Sequence, residues 1–205
     1  MCLSILLAAT GPARAEISAA EAQQFIREGI ARSIELIKSR GMPRQDIAAK
    51  LHRDLQTNFD VPAISVSVLG GARAAQLTED QRRRFQREFE ELIVQTYTGR
   101  ILLVGSKVDA RIDDVLKVTE AIPAGNERML VRSQVNRTAA TWINIDWLMH
   151  KKDGKLRILD VVFVGISQAE LYRSEFAAVM ERNGGIEGLI EALHKKNEVM
   201  MQAER

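Results

Sequence analysis

Apolar and polar positions change their spacing half-way along the chain, and the change divides it into helices and then strands. Ser18 and Glu21 stand at capping-box spacing, and Ile26, Ile30, Ile34 and Ile37 follow on one stripe until Gly41. Pro43 suits a first helical turn, after which Ile47, Leu51 and Leu55 continue a second stripe. Asp60 is placed to cap a short helix through Val61-Pro62 that Gly70-Gly71 ends. Thr78 and Gln81 form another capping box. Beyond them Phe85, Phe89, Leu92, Ile93 and Tyr97 share one face of a long helix, opposite Arg82, Arg83 and Arg87.

The second half shortens the period toward two. Residues 115–122 form a weak strand pattern, and Met129, Val131, Ser133 and Val135 alternate with polar neighbours. The alternation is clearer over 142–149, and Lys152-Asp153-Gly154-Lys155 reads as a hairpin turn leading into a strand over 156–164. That strand ends in an unbroken apolar run, Val161-Val162-Phe163-Val164, which passes through Gly165 into a helix capped by Ser167 and Glu170. One face of the run would meet the helices and the other could close a cavity. The helix carries Leu171, Tyr172, Phe176 and Val179, Asn183-Gly184-Gly185 breaks it, and a last helix presents Ile186, Leu189, Ile190 and Leu193. Helices followed by consecutive antiparallel strands predict an α+β fold, a curved antiparallel sheet with helices on one face, formed as one domain over 16–205.

Charge and termini narrow the function. The net charge of the 205 residues is +2, with basic residues spread along the chain, so the footprint of a nucleic-acid-binding protein is missing. Residues 1–10 are apolar but fall short of the ~20 residues that span a bilayer. Ala13-Arg14-Ala15 then has the small-residue spacing of a signal-peptidase site, which predicts a leader over 1–15 and export to the periplasm; a frayed apolar N-terminus is the alternative. The single cysteine, Cys2, lies in that leader, so the mature chain would hold no thiol.

Catalytic chemistry finds little support. His52, His150 and His194 have no second histidine or cysteine at ligand spacing, and neither a phosphate-binding glycine loop nor a Gly-x-Ser-x-Gly elbow occurs. Asp146 could act as a base inside a cone-shaped sheet, but alternation puts it with Asn144 on the face opposite Ile143, Ile145 and Trp147. No catalytic or metal-ligating residue is assigned, and no enzymatic role is expected.

The chain resembles the MlaC / toluene-tolerance family of periplasmic lipid-binding proteins. The resemblance rests on Asn58-Phe59-Asp60-Val61-Pro62 with Val68-Leu69-Gly70, on Leu77-Thr78-Glu79-Asp80-Gln81-Arg82-Arg83-Arg84-Phe85, and on Thr96-Tyr97, which is similar to the end of that helix. It continues through Leu159-Asp160-Val161-Val162, Gly165-Ile166-Ser167, Tyr172-Arg173-Ser174-Glu175-Phe176 and Gly185-Ile186-Glu187-Gly188-Leu189-Ile190. Gly71-Ala72-Arg73-Ala74-Ala75 departs from the aromatic residues that the family often carries there. A hopanoid-associated subgroup, the HpnM type, is a further possibility.

What the resemblance implies is an NTF2-like fold with a deep apolar pocket between sheet and helices. The function implied is a shuttle for phospholipid, or a related lipid such as a hopanoid, in an ABC-type transport system. Its partners would be an inner-membrane ABC transporter complex and an outer-membrane lipoprotein complex, with bound lipid as cargo and no cofactor. On this reading the pocket is lined by Phe89, Leu92, Ile93, Tyr97, Val131, Val135, Ile143, Ile145, Trp147, Val162, Val164, Tyr172, Phe176 and Leu189, with Arg173 beside a head group. At about 0.8 kcal/mol per methylene, a sixteen-carbon chain in water costs roughly 12 kcal/mol, so such cargo needs an apolar cover. A small-molecule enzyme on the same cone and a pocketless adaptor are the competing readings.

Overall fold

A computed structural model describes residues 16–38, 42–105, 111–138 and 141–203. The expected leader over 1–15 lies outside them. Among the described residues the chain forms α1 (Ala19–Lys38), α2 (Arg44–Asn58), α3 (Val61–Leu69), α4 (Gly71–Gln76), α5 (Glu79–Gly105) and α6 (Ile112–Val115). The strands follow as β1 (Leu116–Pro123), β2 (Arg128–Thr138), β3 (Thr141–Lys152), β4 (Lys155–Phe163) and the two-residue β5 (Ile166–Ser167), before α7 (Gln168–Arg182) and α8 (Ile186–Ala203).

The helix starts obey local chemistry. Ser18 Oγ accepts the Glu21 N–H at 3.1 Å, and Asp60 Oδ1 accepts the Ala63 N–H at 3.2 Å. Thr78 and Gln81 make both bonds of a capping box. Two helices differ from the sequence reading. Gly70 ends α3, but the Ala-rich stretch after it forms α4, and the segment before β1 coils into α6. The long helix also runs past Thr96-Tyr97 to Gly105.

The five strands form one antiparallel meander in the order β1-β2-β3-β4-β5. Asp153 and Gly154 turn the β3–β4 hairpin with φ of 50° and 74°, the positive values that an Asp-Gly turn supplies. Helices cover one face: α1 packs on β1 and β2, while α2, α3 and α7 pack on β4. Above them α5 contacts α1, α2, α3 and α8. The core lies between these layers, centred on Phe85, Phe89, Leu92, Val131, Met149, Phe176 and Leu189.

A bulge decides which side of β4 meets that core. Leu148 pairs with Asp160 but Met149 pairs with Ile158, so Leu159 is an extra residue and the alternation shifts there. Leu156 and Ile158 face the helices before the bulge, and Val161 and Phe163 face them after it. Val162 pairs with Asp146 and shares its outer face, because directly opposed residues lie on the same side of a sheet. The resemblance implied that Val162 and Val164 line the pocket; the bulge turns Val162 outward instead. Val164 lies beyond the strand, 62% exposed, at the first position of a tight turn with φ of 50°. That backbone is strained for a β-branched residue.

The α7–α8 junction requires glycine. The Gly185 N–H reaches back to the Met180 carbonyl at 2.8 Å, closing a Schellman turn. A Cβ on Gly188 would sit 1.8 Å from the Asn183 carbonyl oxygen, so the helices meet there by backbone contact.

Candidate functional site

Four aromatic rings from two helices fill the centre of the helical layer. Phe85 and Phe89 stand one turn apart on α5, and Tyr172 and Phe176 stand one turn apart on α7. The Phe89 ring meets Phe176 edge-on at 5.5 Å and Tyr172 edge-on at 5.6 Å, while Phe85 stacks on Phe89 at 5.5 Å. Phe85 and Phe176 are packed core, while Phe89 and Tyr172 also border a cleft.

On the sheet side of these rings lie two apolar clefts. The smaller, about 20 Å³, is bounded by Phe59, Ile64, Phe89, Ile93, Tyr97 and Tyr172, with Leu159, Asp160, Val161, Gln168 and Ala169 from β4 and α7. The larger, about 90 Å³, runs among α1, α2 and the sheet past Phe25, Ile26, Ile30, Leu51, Leu55, Trp147 and Ile158. Phe59 and Tyr97 line both clefts, their ring centroids 5.9 Å apart. In place of the expected deep pocket, the described residues form two narrow clefts on either side of a ring pair. A ligand pocket for a molecule of ordinary size encloses about 300–1,000 Å³, far more than either.

The residues named from sequence separate into groups. Phe89, Ile93, Tyr97 and Tyr172 border the smaller cleft, and Tyr97 and Trp147 the larger. Leu92, Val131, Ile145, Phe176 and Leu189 are buried core that borders neither, and Val135 and Ile143 are half-buried against that core. Val162 faces away, as the bulge requires, and Val164 lies exposed in the turn after β4. Arg173 is engaged elsewhere: its Nε donates to the Ser67 carbonyl at 2.8 Å and its Nη2 to Ser67 Oγ at 3.3 Å, tying α7 to the end of α3.

Sequence reasoning missed Phe59, Leu159 and Val161 as cleft residues. Phe59 lies between two helices, where no periodicity assigns a face, and its ring is placed by bridging to Ile158 of β4. Leu159 and Val161 were hidden by the bulge. The stripes of α1 and α2 were legible, but nothing local says that they face each other.

Trp147 is held in the cleft wall by a polar chain. Its Nε1–H donates to Ser133 Oγ at 3.0 Å, and that hydroxyl donates to the Ile145 carbonyl at 2.7 Å. Behind Phe59, the Asp60 side chain, 2% exposed, accepts from Lys152 Nζ and meets His150 Nε2, each at 3.0 Å. Burial pushes the Asp60 carboxyl up, but the Lys152 hydrogen bond, the Ala63 N–H, the Lys152 charge and His150 outweigh it. Its pKa is held below the ordinary value of 3.8.

A larger concavity of about 830 Å³ lies at the other end of the sheet, bounded by Asp60, Arg128, His150, Lys152 and the hairpin turns. Its charged rim does not match an apolar ligand. Among the described residues no group of three His, Cys, Asp or Glu is placed to hold a metal ion, and no helix is long and apolar enough to cross a membrane.

Residues 27–195 match the MlaC protein family. The chain belongs to that family. Membership places it among binding and transport proteins and not among enzymes, which removes the general-base reading of Asp146. It is 27% identical over 138 residues to the toluene tolerance protein ttg2D of Pseudomonas putida, a match covering 65% of this chain and 59% of that protein's length. Its fold is similar to that of a phospholipid-binding protein from Ralstonia solanacearum, whose structure was determined in complex with a phospholipid. That likeness has a TM-score of 0.73 at 22% identity and covers 88% of this chain and 98% of the other.

Proposed function

We propose that this MlaC-family protein is a lipid carrier that takes phospholipid acyl chains between its sheet and helices. The observation that carries the reading is the pair of apolar clefts meeting at Phe59 and Tyr97, between the sheet and the helices. A fold-related protein that holds a phospholipid supports it. Several hundred Å³ are needed for such a ligand, so loading requires the helices to part from the sheet. The gain offsets that cost, because each methylene withdrawn from water contributes about 0.8 kcal/mol.

On this reading the chain is exported, its first 15 residues are removed, and it works in the periplasm between membrane complexes. An inner-membrane ABC transporter would supply the energy, since the chain has no nucleotide-binding motif. Phospholipid is the proposed cargo. Native mass spectrometry of protein exported from a Gram-negative host tests this, with a phospholipid retained on the folded chain as the expected result. Protein that emerges lipid-free, and takes none from phosphatidylglycerol vesicles, would overturn the proposal.

A further inference from the structure

The face of the sheet turned away from the helices carries a pattern of its own. Ile122, Leu130 and Leu148 stand directly opposite one another on β1, β2 and β3, and Val162 of β4 lies one row on, opposite Asp146. All four are half-buried, and none of them packs against the core. Their neighbours along the strands, Met129, Val131, Met149 and Val161, are the core residues, so alternation puts the apolar row on the outer side.

Charge flanks this row on both sides. Arg128, His150 and Arg157 stand in register on one side, and Glu120, Arg132 and Asp146 on the other. His150 is bound to Asp60, and Arg132 is bound to Glu120, each at 3.0 Å. Arg128, Arg157 and Asp146 make no ion pair or side-chain hydrogen bond with any described residue. The face thus presents two free guanidiniums, an apolar row and a free carboxylate, each row about 6.7 Å from the next along the strands.

We infer that this outer face is a self-association surface, on which a second copy of the chain docks face to face with its strands antiparallel. A twofold axis along the apolar row lays Ile122, Leu130 and Leu148 on their own counterparts and sets the cationic row of each copy against the acidic row of the other. The offset of about 30° between aligned sheets moves each row sideways by most of a strand spacing, which brings a guanidinium over Asp146 of the second copy. An axis along the strands would instead stack arginine on arginine, and a flat anionic bilayer would meet Asp146 and Glu120 together with the guanidiniums. Four strands and some six residues of each give a patch of roughly 400 Å² per copy, against about 800 Å² a side in a stable complex, so the dimer is weak and reversible. The lipid-carrier reading is not needed for this inference, because both clefts lie on the helix side of the sheet.

The test is sedimentation velocity of the full mature chain over about 5–500 µM, with circular dichroism to show that each variant is folded. Wild type is expected to dimerise within that range, and Leu130→Asp to raise the dimer Kd at least about tenfold. Asp146→Lys alone, or Arg128→Glu with Arg157→Glu, is expected to raise it about three- to tenfold by setting like charges together. All three changes in one chain reverse both rows, and the Kd should return to within about threefold of wild type, a recovery that a damaged fold cannot give. A wild type that stays monomeric throughout overturns the inference. So does a dimer indifferent to Leu130→Asp and to the charge reversals, which must form elsewhere, or a failure of the triple variant to recover. Sedimentation with phosphatidylglycerol vesicles in the absence of self-association would give the face to a bilayer and overturn it as well.

Discussion

Ser133 holds Trp147 in place: the indole N–H donates to the serine hydroxyl at 3.0 Å, and the two residues lie on adjacent strands with their side chains under the helices. Ser133 is only 2% exposed, and a buried hydroxyl is tolerated there because it both accepts from Trp147 and donates to Ile145. A polar residue in an apolar stripe thus fixes an aromatic wall of the larger cleft.

Ser133→Ala would leave the indole N–H and the Ile145 carbonyl without this partner. A loss of about 1–3 kcal/mol in urea unfolding is expected, with a shift in Trp147 emission. Unchanged stability and emission would mean that the bond does not hold the ring.

Asp60 joins three jobs: it caps α3, pairs with Lys152 and meets His150. Its folded pKa lies below the 3.8 of the unfolded chain, so its contribution to stability is complete above that value and is lost as pH falls through it. Asp60→Asn keeps a cap acceptor and removes the charge. It should destabilise the protein at neutral pH, and the gap to wild type should narrow as pH drops below about 4. A gap independent of pH would separate the carboxylate from the acid sensitivity.

Arg173 is a clamp between α7 and α3 through its bonds to Ser67. Arg173→Ala should cost about 0.5–1.5 kcal/mol in thermal or urea unfolding, while lipid binding by the folded fraction stays at the wild-type level. A selective loss of binding without a loss of stability would restore the head-group role suggested by the sequence.

Gly188 leaves no room for a side chain, because the Cβ of an alanine would overlap the Asn183 backbone at 1.8 Å. Although alanine favours helices, Gly188→Ala is expected to destabilise by about 1–3 kcal/mol through overpacking. Calorimetry showing a stabilised variant would refute that close approach.

The helices were legible in the sequence because their signals are local. Ser18, Asp60, Thr78 and Ser167 sit within three residues of the N–H groups that they cap, and Asp153-Gly154 supplies its own turn. The inward faces of β2 and β3 followed from strict alternation. The clefts were legible only in part, since packed core and cleft wall draw on the same apolar residues: Phe176 and Tyr172 lie one turn apart, yet only Tyr172 borders a cleft.

Sequence by itself therefore determined where the longer helices and the strands lie, which stripes are apolar, and that an α+β layer structure would bury them, but not the short α4 and α6. Tertiary structure alone decided that Leu159 bulges and turns Val161 rather than Val162 inward, that Phe59 meets Tyr97, and that Arg173 reaches Ser67. The physical reason is range. Caps and turns are satisfied within one turn of chain, whereas the bulge depends on how β4 pairs across the hairpin with β3, and the Phe59–Tyr97 and Arg173–Ser67 contacts join residues 38 and 106 apart, for which no local pattern exists.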